Sequence, residues 1–145
     1  MAHTAELEQQ EDFHFAIRFG EGVPLLHADE APPLGKGAGP TPDQLLAAAV
    51  GNCLSDSLLF ALRKFKQAPE PIRTRVELTV GRNEEKRLRV QRIAVRITLG
   101  VPAAALQHLD RALAQFEAFC TVAESVRAAI PVDVEVYDGT GARLK

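Results

Sequence analysis

Tryptophan is absent from the 145-residue chain, and tyrosine, methionine and cysteine contribute one, one and two residues. Two thiols cannot build the disulfide framework of a small secreted domain, so any sulfur chemistry here belongs to individual cysteines. No charge of one sign dominates. Seventeen Lys+Arg against nineteen Asp+Glu leave a net charge of −2, which argues against a general nucleic-acid binder. Long hydrophobic runs are also missing: the longest clean one, residues 45–50, is far too short to span a bilayer. Residues 1–12 have neither the basic start nor the apolar stretch of a signal peptide. The rest is ordinary soluble composition, 46% hydrophobic and 25% charged. These features predict a cytoplasmic protein with a loose acidic arm over 1–12 and one domain over 13–145. Neither a membrane nor a nucleic acid is expected as partner.

Apolar and polar residues alternate from Phe13 to Phe19, which predicts a half-buried strand. Gly20–Gly22 turns the chain towards a short return strand over 23–27, and the Pro- and Gly-rich stretch 31–42 must be loop. There Thr41, Pro42 and Gln44 supply an N-cap, a first helical residue and a Thr-x-x-Gln capping box. Apolar residues then recur every three or four positions from Leu45 to Phe65, predicting a long, mostly buried helix to about Lys66. A strand over 72–80, a turn at 81–83 and a strand over 88–99 follow, with a bulge where the phase changes between Val90 and Ile93. Pro102 opens a second helix carrying Leu106, Leu109, Leu113 and Phe116; Thr121-x-x-Glu124 caps a short third; and residues 132–136 alternate as a last strand. That order is α+β, a long central helix against antiparallel sheets. A symmetric dimer would cover the apolar helix.

Each cysteine, taken alone, reads as one more small buried residue. Cys120 sits just before a helix start, where partial positive charge favours a thiolate. Sixty-six residues separate it from Cys53, so spacing does not say whether they meet. His3, His14, His27 and His108 have no metal-ligand spacing, and Gly35-Lys36-Gly37-Ala38-Gly39 lacks the strand context of a phosphate cradle. The basic stretch over 82–96 is interrupted by Glu84 and Glu85 and has no stacking aromatics, which favours a solvated strand face.

The segment Gly39-Pro40-Thr41-Pro42-Asp43-Gln44-Leu45-Leu46-Ala47-Ala48-Ala49-Val50-Gly51-Asn52-Cys53-Leu54 resembles the signature of the OsmC/Ohr family of osmotically inducible and organic-hydroperoxide-resistance proteins. Cys120-Thr121-Val122-Ala123-Glu124-Ser125-Val126, followed by Ile130-Pro131-Val132, matches its second half, and the likeness extends over about 13–137. The resemblance implies intertwined α+β homodimers with active sites at the subunit interface. It also implies thiol-dependent reduction of organic hydroperoxides with no metal, haem or other cofactor, and an external dithiol as reductant. Cys53 matches the peroxidatic cysteine and Cys120 the resolving one. An arginine of the amino-terminal strands, oriented by a carboxylate in the Pro-Glu-Gln-Leu segment, completes the implied site. Asp43 stands at that carboxylate, one methylene shorter, and Arg18 is the arginine before the loop. Cys53 lies too deep in its helix to be activated by the helix end, so a cation beside it is required. Asp43 and Cys53 would lie ~15 Å apart along a straight helix, so one guanidinium touching both needs a helix break or the partner subunit. The alternative reading is a non-enzymatic dimer of the same fold that holds an apolar ligand or protein partner, with both cysteines as packing residues.

Overall fold

Residues 6–11, expected to belong to a loose arm, form a strand instead: β1, Glu6–Glu11, with all six residues exposed. It pairs antiparallel with β2, His14–Arg18, across a link in which Asp12 takes a φ of 50° and Gln9 Nε2 donates to the Asp12 carbonyl at 2.9 Å. Backbone pairing and an Arg18–Glu8 ion pair at 3.3 Å override the weak strand preference of Glu and Gln. The structure is a computed structural model describing residues 1–145, which fall into two units, Met1–Leu46 and Ala47–Lys145.

In the first unit β2 also pairs with β3, Leu26–Ala28, giving an antiparallel sheet in the order β1-β2-β3. Ala16, Ile17 and Ala28 are its buried residues, whereas Phe13 and Phe19 lie beyond the ends of β2 and are exposed. The loop that follows is organised by one carboxylate. Asp29 accepts backbone N–H groups from Glu30 at 2.8 Å and from Lys36 and Ala38 at 3.1 Å, which hold its pKa below the usual range. The protein's own anion therefore occupies the donors of the glycine-rich run, as befits a structural loop. His14 Nε2 and His27 Nδ1 meet at 2.8 Å, a pairing that linear spacing does not reveal.

Helix α1, Pro42–Lys64, starts as expected. The Thr41 N–H donates to Gln44 Oε1 at 2.9 Å and the Gln44 N–H to Thr41 Oγ1 at 3.3 Å, the reciprocal bonds of a capping box. It ends with Lys66 at a φ of 57° and with the Gln67 and Lys66 N–H groups returning to the Leu62 and Arg63 carbonyls, a Schellman closure. The short clean run at 45–50 does not convey the hydropathy of the whole helix. Its 23 residues, with mean hydropathy 1.7 over the most apolar window, pass as a bilayer span by length and composition, and 28% of that window is buried.

The second unit pairs β4, Arg73–Arg82, antiparallel with β5, Leu88–Thr98; the expected bulge is present, with Gln91 left over between Val90 and Arg92. The turn lies at Asn83–Arg87 rather than 81–83, because the strands continue pairing to Arg82↔Leu88. β6, Val132–Tyr137, pairs parallel with β5, so this sheet is mixed rather than wholly antiparallel. Ile93, Ile97, Leu99 and Val136 are fully buried, as are Leu54, Leu58 and Leu62 of α1. The helix lies close on the sheet: a Cβ on Gly51 would stand 2.5 Å from Val76 Cγ2.

The helix expected from Pro102 through Phe116 is broken into pieces. A 3₁₀ turn spans Ala103–Ala105, His108 adopts a φ of 58°, α2 covers Leu109–Gln115, and a second 3₁₀ turn spans Phe116–Phe119. Buried Asp138 pins the first turn by accepting the Ala103 N–H at 2.9 Å, and Gln67 Oε1 accepts the Gln107 N–H at 2.8 Å. Helix α3, Thr121–Arg127, follows. The observed class is α+β with two sheets and three α-helices.

Candidate active site

Along α1, Cys53, Ser57, Phe60 and Lys64 follow one another at intervals of four, three and four residues, so they share one helical face. That face lines a cavity of about 320 Å³ in the second unit, closed on the far side by Ala112, Gln115 and Phe119. Phe60 and Phe119 are 64% and 72% exposed, and Lys64 Nζ lies 5.1 Å and 5.9 Å from their ring centroids. Asp56 also borders the cavity, its carboxylate accepting from the Asn52 amide at 2.9 Å. Cys53 is half-buried, with its side chain on the cavity wall.

Cys120 is fully buried and extended, with φ −80° and ψ 98°, and is itself the N-cap of α3: its Sγ accepts the Ala123 N–H at 3.4 Å. Thr121 is therefore the first helical residue, not the cap. Both cysteines are free thiols, and Cys53 lies close enough to Cys120 to act on its titration. Burial, together with the neighbouring Cys53, pushes the Cys120 thiol up to about 11, against the Ala123 N–H and the Ser57 hydroxyl, which pull it down. The helix start does favour a thiolate at Cys120, through the Ala123 N–H, but burial and Cys53 outweigh it. One turn of helix offers less than removal from water takes away.

The other two expected site residues lie in the first unit. Arg18, on β2, is exposed and pairs with Glu8. Asp43, in the first turn of α1, is exposed and joins no ion pair, so the structure does not bring this carboxylate and this guanidinium together.

Two adjoining thiols beside an apolar cavity are the setting in which the sequence comparison becomes decisive. Residues 35–135, more than half of the chain, match the family model described as OsmC-like protein. The chain belongs to the OsmC-like family. Both cysteines and Asp43 fall within the match and Arg18 falls before it. Solved structures agree on the OsmC-like fold. An OsmC-like protein of unknown function from Vibrio cholerae superposes with a TM-score of 0.78 at 18% identity, over 94% of this chain and 99% of that one. An organic hydroperoxide resistance protein from Legionella pneumophila gives 0.69 at 19% identity, over 94% and 96%. The organic hydroperoxide resistance protein OhrB of Bacillus subtilis gives 0.68 at 14% identity, over 94% and 98%. A search of curated proteins finds no significant match.

Sequence reasoning missed Ser57, Phe60 and Lys64 in this OsmC-like site. The signal was present: counting along the helix from Cys53 lands on each in turn. Phe119 had no such signal, because its place depends on the 3₁₀ turn that interrupts the second helix.

Proposed function

We propose that this OsmC-like protein is a cytoplasmic, homodimeric thiol peroxidase that reduces organic hydroperoxides. The Cys53 thiolate attacks the distal peroxide oxygen, the O–O bond breaks, and the alkoxide takes a proton and leaves as the alcohol. Cys53 is then a sulfenic acid. The Cys120 sulfur attacks it, expelling water and forming a disulfide, and an external dithiol returns both sulfurs to thiols with its own oxidation to a disulfide. The observation that carries the reading is the buried Cys120 thiol adjoining Cys53, which itself faces an apolar cavity able to take an organic tail. The hydroperoxide-resistance names of relatives with the same fold support the substrate class. Asp43 and Arg18 enter the proposal as the carboxylate and cation that would favour the Cys53 thiolate. In this role Arg18 must leave Glu8.

Turnover of cumene hydroperoxide tests the reading. Cys53→Ser should abolish it, and Cys120→Ser should leave a Cys53 sulfenic acid that dimedone traps after one equivalent of peroxide. Equal, slow consumption by wild type and Cys53→Ser would leave only the ligand-binding alternative.

A further inference from the structure

The cavity beside Cys53 is mostly apolar, with Asp56, Ser57 and Gln115 among its walls, and carries one cation. Lys64 Nζ makes no ion pair; it rests between the rings of Phe60 and Phe119, both largely exposed. Its neighbour Arg63, by contrast, is committed to Glu70 at 2.8 Å. The one carboxylate on the cavity wall, Asp56, lies two turns nearer the helix start and is engaged by Asn52. An ammonium held on two aromatic faces keeps its charge available to an incoming anion, since the rings supply no counter-charge. Lys64 folds back over Phe60, one turn towards the reactive sulfur. Its Nζ is therefore near the level of a residue seven positions beyond Cys53, ~10 Å along the helix axis.

We infer that Lys64 determines specificity in this site, selecting hydroperoxides that carry a carboxylate on an apolar chain about 10 Å from the peroxide. The inference rests on the peroxidase reading for its chemistry. Lys64 takes the carboxylate, Phe60 and Phe119 flank the chain beside it, and the peroxide reaches Cys53. Neutral hydroperoxides still enter the cavity but forgo the anchoring at Lys64.

The 9-hydroperoxide of linoleic acid, whose carboxylate and peroxide carbon are eight bonds apart, and its methyl ester differ only in that charge. In wild type, kcat/KM for the acid should exceed that for the ester about tenfold, as one charge-assisted hydrogen bond provides. The ratio should fall to near one in Lys64→Met, mainly through KM for the acid, and be kept in Lys64→Arg. Equal efficiencies for acid and ester in wild type, or a ratio unmoved in Lys64→Met, would overturn the inference. Binding separates this failure from failure of the peroxidase reading. Linoleic acid, which has no peroxide, should bind Cys53→Ser more tightly than methyl linoleate does, and Lys64→Met in that background should remove the difference. A binding preference without turnover would leave Lys64 as the anion anchor and dispose of the chemistry alone. No preference in binding would dispose of the anchor.

Discussion

Cys120 carries opposing demands. Packed without solvent contact and adjoining a second thiol, it is held protonated, with its pKa raised to about 11. Yet the proposed resolving step needs its sulfur as a nucleophile. Two donors, the Ala123 N–H and the Ser57 hydroxyl, soften that penalty. A thiol whose pKa is raised on folding stabilises the folded state below the unfolded value. That contribution is lost as pH climbs through the folded value, because the unfolded chain releases its proton first. The thermal midpoint of the reduced protein should accordingly decline between pH 9 and about 11 more steeply in wild type than in Cys120→Ala. Parallel profiles in a melting series across that range would show that burial does not hold this proton.

At the scale of elements, α1 is set by chemistry at its ends and by close approach in its middle. The reciprocal Thr41–Gln44 bonds start it, Lys66 in the left-handed region stops it, and Gly51 lets it settle on β4. Val76 is β-branched and stiff, so it cannot swing aside for a new methyl group. Gly51→Ala should cost about 1–3 kcal/mol through overpacking, despite the better helix propensity of alanine. Urea unfolding measures this. A stabilised variant would mean that the contact yields more easily than the packing implies. The same closeness positions Cys53, since Gly51 and Cys53 lie two residues apart within one turn of the helix and Ser55 Oγ meets Thr74 Oγ1 at 2.6 Å.

For the molecule as a whole, the governing fact is how little of α1 is covered. An apolar 23-residue helix with 28% of its most apolar window buried leaves hydrophobic surface that water disfavours. A second copy laying its own helix alongside would bury that surface symmetrically. Sedimentation equilibrium of the full chain should therefore give twice the monomer mass of 15.7 kDa at micromolar concentration. A species of single mass throughout that range would leave the exposed helix face without its proposed cover and would count against an active site at a subunit interface.

Local chemistry wrote much of this architecture into the chain. The capping box and the start of α1 depend on neighbours in sequence, and the alternation over 132–136 and the phase change between Val90 and Ile93 can likewise be read from residue order. The family resemblance likewise rests on contiguous motifs around Cys53 and Cys120. Tertiary structure decided what depends on burial and on remote pairing. β1 exists because β2 offers it hydrogen bonds, and β6 is parallel because the chain crosses over before returning to β5. The second helix breaks where Asp138 and Gln67 claim its backbone N–H groups. The adjoining thiols, and the burial that keeps one of them protonated, arise from packing between residues 67 positions apart, a relation that no periodicity along the chain encodes.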